Sequence, residues 1–276
     1  MGGNMFETLY PRRIVSLAAE VPAILQALDE FHRLVGVSVF ATYPPDVEHL
    51  PHVGGFSTPN VRRILDLRPD LVITTSDIHA EVTAELVRVG VQVISLNPHR
   101  LEDVYRNILL IGGLVGRMER AQWVVARMQA DLATLARSLG LAAPVRVYFE
   151  EWPGPMVSGI GWVSDLIHLL GGEDIFRDRA VHAKAAQRVV TPELVRERQP
   201  DVIFLSWCGK PADTAILHRR PGWEAIPAVR ENRIFEIPSD VILQAGPQLI
   251  EGARMLADGL RTVSQVLHVH RQSIQE

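Results

Sequence analysis

Seven short runs rich in β-branched residues recur along this chain, at 13–17 (RIVSL), 34–38 (LVGVS), 70–74 (DLVIT), 91–96 (VQVISL), 145–149 (VRVYF), 201–205 (DVIFL) and 233–237 (RIFEI). Helical patterns fill the spaces between them. Runs that stay apolar without alternating belong to strands buried on both faces, and their alternation with helices points to parallel sheets covered on both sides. The class is α/β. A length of 276 residues is enough for roughly two domains.

The chain repeats itself. Residues 58–73 (TPNVRRILDLRPDLVI) and 191–204 (TPELVRERQPDVIF) share one pattern, with Pro69 and Pro200 about 131 positions apart. In both, Thr-Pro is expected to open a short helix as N-cap and first residue, and Pro-Asp stops it before a buried strand. Two similar lobes follow from the two copies. Between them Leu114, Met118, Ala121, Val125, Met128, Leu132, Leu135 and Leu139 fall at spacings of four and three, an apolar stripe on one long helix. Residues 103–116 read as helical too, with a bend at Gly112 and Gly113. The expected division is an N-terminal α/β lobe at 1–112, a linking backbone helix at 113–139 and a C-terminal α/β lobe at 140–276.

Composition excludes several classes. A net charge of −4 with no basic run argues against nucleic acid, whose phosphates require clustered positive charge. No stretch free of charged residues is longer than 152–164, which is interrupted by prolines and glycines and is too short for a membrane span. One cysteine, Cys208, allows no internal disulfide. At the N-terminus Glu7 precedes Arg12 and Arg13, and the apolar run that follows stops at Glu20, so no export signal is legible in the sequence as written. Either the protein stays in the cytoplasm or the sequence begins after a removed leader.

Motifs for catalysis are weak. Gly159, Gly161 and Ser164 form a GxGxxS pattern without the third glycine of a dinucleotide site, and a turn opening a helix near Val163 fits better. The histidine pairs His49/His52 and His268/His270 have no carboxylates at metal spacing. Cys208 follows a strand, yet no base is spaced to activate it, so it reads as a small buried thiol. No catalytic residue, no catalytic cofactor and no metal site is expected.

The aromatic residues say more. Tyr43, Phe56, Trp152, Trp162 and Trp207 are all expected in Gly/Pro-rich loops after strands. Such loops gather at one edge of a parallel sheet, so two facing lobes would line a cleft suited to a broad, flat, largely uncharged ligand.

The order of RIVSL at 13–17, VGV at 35–37, Tyr43-Pro44-Pro45, Val53-Gly54-Gly55, LRPDLVI at 67–73, a long helix, LGGEDIF at 170–176 and RVVTPE at 188–193 resembles the helical-backbone, class III substrate-binding proteins of ABC transporters. These serve iron-siderophore, haem and vitamin B12 uptake, and the resemblance spans residues 12–265. The Tyr-Pro-Pro and Val-Gly-Gly pair, with EEWP at 150–153 and SWCGKP at 206–211, is most similar to the cobalamin-binding branch. The resemblance implies a non-catalytic, monomeric, extracytoplasmic or periplasmic protein that binds cobalamin or a related corrinoid and delivers it to an ABC importer. It implies Tyr43, Phe56, Trp152, Trp162 and Trp207 against the corrin, with Ser239, Asp240 and Gln244 bonding its peripheral amides. It also implies Glu81 and Glu224 as the acidic residues that dock on the transporter's membrane subunits. His79 or His182 would be cobalt ligands if the lower base is absent.

Two alternatives stay open. A haem or ferric-siderophore ligand would call on Arg100 and Arg188 as cations, and a cytoplasmic corrinoid-handling enzyme or chaperone would put Cys208 to use.

Overall fold

A computed structural model of the chain describes residues 9–55 and 58–275, with 268–275 described by backbone alone. Two compact units divide it. The first takes the residues up to Pro98, Glu102–Met128 and Gln244–Pro247; the second takes His99–Leu101, Gln129–Leu243 and the residues from Gln248 on.

The first unit winds β1 (Ile14–Ser16), α1 (Val21–Ala27), β2 (Leu34–Val37), α2 (Val61–Asp66), β3 (Leu71–Thr75), α3 (Ala80–Arg88), β4 (Val93–Leu96) and α4 (Leu101–Leu114). Its sheet has the order β2-β1-β3-β4, every pair parallel, with Ile14 opposite both Leu34 and Leu71. Val15, Leu17, Ile64, Val72 and Leu86 pack into one cluster, buried to 1% exposure or less. Each such side chain removed from water contributes about 1.5–3 kcal/mol.

The opening of α2 departs from the expectation. Asn60, not Thr58, is the N-cap: its side chain accepts from the Arg63 amide at 3.0 Å, and the helix starts at Val61. Gly54 bridges Pro59, and the Asn60 amide donates to the Val53 carbonyl, so Thr58 and Pro59 are held in extended pairing and cannot enter the helix. The second copy behaves as expected, Thr191 accepting from the Leu194 amide.

The helix break also moves. Gly112 and Gly113 lie inside α4, and the chain turns at Gly116, where φ is +72°. Arg117 donates to the Gly112 carbonyl and Gly116 to that of Gly113, the paired bonds of a Schellman ending. Gly112 is required for closeness instead, because a Cβ there would lie 2.3 Å from the Ala121 methyl. Helix α5 (Met118–Leu139) then starts afresh; Ala121, Val125, Met128, Leu132 and Leu139 are buried as the stripe requires, while Met118 is exposed.

The second unit contains β5 (Arg146–Pro153), β6 (Met156–Ser158), α6 (Gly161–Leu169), β7 (Glu173–Asp174), α7 (Arg177–Ala180), α8 (Pro192–Arg198), β8 (Val202–Leu205), α9 (Ala215–His218), α10 (Pro227–Arg230), β9 (Ile234–Glu236), α11 (Ser239–Ile242) and α12 (Leu249–Gln275). Parallel β5, β8 and β9 form the body of the sheet; β7 pairs parallel with the start of β5, and β6 folds back antiparallel on its end. That hairpin occupies residues the sequence presents as a Gly/Pro loop. The core holds Tyr148, Phe176, Ile203, Leu205 and Trp223, with the Tyr148 ring edge-on to Phe176 at 5.5 Å and to Trp223 at 6.2 Å. Helix α12, at 27 residues, is longer than α5 at 22. Its stripe reads weakly in sequence because small residues pack it: a Cβ on Gly259 would lie 2.6 Å from the Phe204 ring.

Candidate ligand-binding site

Register builds the aromatic site of the second unit. In the parallel pair β5 and β8, Glu150 lies opposite Leu205. Two residues further along each chain come Trp152, past a register irregularity in β5, and Trp207, past the end of β8; both pack with the Tyr148 cluster, so both indoles lie on one side of the sheet at its carboxyl edge, where open α/β sheets bind ligands. The Lys210 ammonium lies over both rings, its nitrogen 4.2 Å from the Trp152 centroid and 5.1 Å from that of Trp207. A Lys210 amide bond to the Trp207 carbonyl and a Gly209 amide bond to the Ser239 hydroxyl, 3.2 Å each, fix the 207–210 turn.

A buried charge network holds this edge from beneath. The fully buried Glu150 carboxylate accepts from Arg220 at 2.6 and 2.9 Å, from the Tyr148 hydroxyl at 3.1 Å and from the Trp207 indole at 3.3 Å. Burial, then the adjacent Glu150 charge, pushes the Tyr148 phenol well above its ordinary range, so it remains a donor. Next to it Arg188, 1% exposed, bonds Glu151 and the Ser158 carbonyl. Two carboxylates thus face two guanidiniums.

The expected ring residues have different surroundings. Trp152 lies within β5 rather than in a loop, because the β6 hairpin extends that strand, and it stays partly exposed. Trp162 lies inside α6, 6% exposed, its indole donating to the Ile242 carbonyl at 2.9 Å. That helix begins at Gly161, two residues before the expected Val163; a Cβ at Gly161 would lie 2.3 Å from the His99 carbonyl oxygen. Trp207 follows β8 as expected but is 5% exposed and belongs to the core cluster. Ser239 and Asp240 open α11, both partly buried. Phe56 lies outside the described residues.

In the first unit Tyr43 follows β2, partly buried, in the loop the sequence suggested. Gln244 donates to the Phe40 carbonyl at 3.1 Å and so fixes the loop that carries Tyr43. Glu81 is exposed in the first turn of α3; in the second unit Glu224 is exposed beside the fully buried Trp223.

Other candidates take structural places. His79 is 1% exposed and accepts the Thr75 amide on Nδ1 at 3.0 Å, a bond available only to the neutral ring. His182 is partly buried after α7, donating its backbone amide to the Arg179 carbonyl. Arg100 forms a two-point pair with Asp165, whose Oδ2 also accepts from the Leu101 amide. Cys208 is exposed rather than buried, because it lies in the turn beyond the strand. Local desolvation and then the Glu151 charge push its thiol up, the reverse of an activated nucleophile. Among the described residues no group of three His, Cys, Asp or Glu side chains could hold a metal ion, and no helix is long and apolar enough to cross a membrane.

Sequence reasoning missed Lys210, Glu150 and Arg220. The SWCGKP run contained Lys210, one of the chain's two lysines, but nothing local reported that its nitrogen lies over two indoles.

A family model described as "Periplasmic binding protein" matches residues 14–241. A Bacillus subtilis relative named "Uncharacterized ABC transporter substrate-binding lipoprotein YvrC" is 26% identical, over 91% of this chain and 80% of the relative. A Vibrio parahaemolyticus "Vitamin B12-binding protein" is 26% identical, over 92% of this chain and 90% of its own length. Among solved structures, a periplasmic heme binding protein from Pseudomonas aeruginosa superposes with a TM-score of 0.81 at 22% identity, covering 91% of this chain and 93% of that one. At that identity the likeness concerns the fold.

Proposed function

The chain belongs to the periplasmic binding protein family, the substrate-binding proteins of ABC importers, and from that premise we propose that it binds cobalamin or a related corrinoid outside the cytoplasmic membrane and hands it to an importer. One observation carries the choice of ligand. The Trp207 indole bonds Glu150, which neutralises Arg220, and the next residue, Glu151, neutralises Arg188, so the charge network beside the Trp152 and Trp207 pair is already compensated. Flat π surface without free guanidinium suits a broad ligand rimmed by neutral amides. It suits the two propionates of haem or a multiply charged ferric siderophore poorly, since these favour unpaired arginines with two-point geometry, whereas the cation over the indoles is a single ammonium, that of Lys210. The relative named for vitamin B12 binding supports the same ligand.

In this reading Trp152 offers partly exposed ring surface in the second unit, Trp207 and Trp162 support it from the core, and Ser239 and Asp240 supply polar contacts there; in the first unit Tyr43 and Gln244 keep the ligand roles that the resemblance implies. Phe56 keeps its expected role on the sequence resemblance alone. Glu81 and Glu224 are the carboxylates proposed to dock on the importer.

Titration with cyanocobalamin, followed by tryptophan fluorescence and by co-elution in gel filtration, tests the proposal. Saturable quenching with one corrinoid per chain is expected, and haem should compete poorly. Absence of co-elution with both cyanocobalamin and cobinamide refutes it.

A further inference from the structure

We propose that Lys210 recognises a single negative charge on the ligand, and that it favours corrinoids bearing the nucleotide-loop phosphodiester over those that lack it. This inference rests on the corrinoid reading above.

The placement of the ammonium carries the argument. Its nitrogen lies 4.2 and 5.1 Å from the two indole centroids, and the two acids of the buried network beside those indoles are engaged elsewhere. Glu150 is held by Arg220, Tyr148 and Trp207, and Glu151 is held by Arg188. Among the described residues Lys210 forms no ion pair with a carboxylate. A cation over aromatic faces is attracted to them without being neutralised. Beside the two indoles Lys210 therefore offers a positive charge that forms no ion pair among the described residues, on a turn fixed by the Gly209 and Ser239 bond.

One ammonium matches one monoanion. A corrin with amide side chains is neutral at its rim, and the anionic group that distinguishes a complete corrinoid from cobinamide is the phosphodiester of its nucleotide loop. Lysine suits such a partner, as a compact charge on a flexible stem that follows an oxyanion without demanding two-point geometry. The same ligand would lay flat surface against Trp152 and its phosphodiester against the Lys210 ammonium.

The test measures calorimetric affinity of the full chain, Lys210→Met and Lys210→Arg for cyanocobalamin and for dicyanocobinamide, at low and at raised salt. Wild type should prefer cobalamin by about tenfold, the scale of one charge-assisted contact, and the preference should shrink as salt screens it. Lys210→Met should bring the two ligands to within about twofold, and Lys210→Arg should retain most of the preference. Equal wild-type affinities overturn the inference and leave the corrinoid reading standing. So does a preference that survives in Lys210→Met, or a loss that falls equally on both ligands. Wild-type protein that binds neither corrinoid overturns the reading and the inference together.

Discussion

Replacing Arg220 with methionine should unsettle the second unit and its indole site together. The Arg220 side chain is 10% exposed and donates twice to a Glu150 carboxylate that is fully buried. Methionine keeps much of the aliphatic volume and removes both donors, so Glu150 is left as a buried charge bonded only by Tyr148 and the longer contact from Trp207. Removing one partner of a buried ion pair costs about 3–5 kcal/mol. At about 2–4 °C per kcal/mol for a unit of this size, Tm should fall by roughly 6–20 °C at pH 7. Urea unfolding followed by tryptophan fluorescence measures the change, and the Glu150→Gln/Arg220→Met double variant completes a cycle. A glutamine at 150 still accepts from Tyr148 and Trp207 without a net charge, so the double variant should recover roughly 2 kcal/mol relative to the single change. Corrinoid affinity should follow the same order, because Glu150 orients the Trp207 indole. Arg220→Met within about 1 kcal/mol of wild type would refute the reasoning, by showing that water or another donor already serves Glu150.

Burial pushes the Glu20 carboxyl up to about 7. A carboxyl raised in the folded state destabilises as pH rises from its unfolded value near 4.5 through about 7; Glu20→Gln should therefore raise stability by about 2–3 kcal/mol at pH 8 and by little at pH 4, read from Tm across that range. Asn60→Ala should cost about 1 kcal/mol in urea unfolding, and Thr58→Ala less than about 0.5 kcal/mol, since the cap is at 60. Trp152→Ala should weaken corrinoid binding at least tenfold while lowering stability by only about 1 kcal/mol, in contrast to Trp223→Ala, whose fully buried ring should cost about 3–5 kcal/mol. Calorimetry and thermal melts on the same samples separate these two outcomes.

The strand runs were legible because sheet burial writes itself into consecutive residues: VRVYF and DVIFL have one solution in water, a parallel pair covered on both faces. Thr191 was legible for a similar reason, since a cap and the amide it accepts are three residues apart. Where distant chain decided the outcome, local pattern misled. Thr58 lost its cap because Gly54 pairs with Pro59. The loop expected around Trp152 became a hairpin because Met156 and Val157 return along β5.

The site divides along the same line. The aromatic residues and the SWCGKP run could be read one by one, but their electrostatic state could not. Glu150 meets Arg220 across 70 positions and Trp207 across 57, and those meetings depend on Glu150 lying opposite Leu205 in the sheet. Side-chain period is a local property of the backbone, so the sequence alone determined the two-sheet α/β class. Which arginines are neutralised and which lysine keeps its charge depends on distances of a few ångströms between remote segments, and only the tertiary structure decided that.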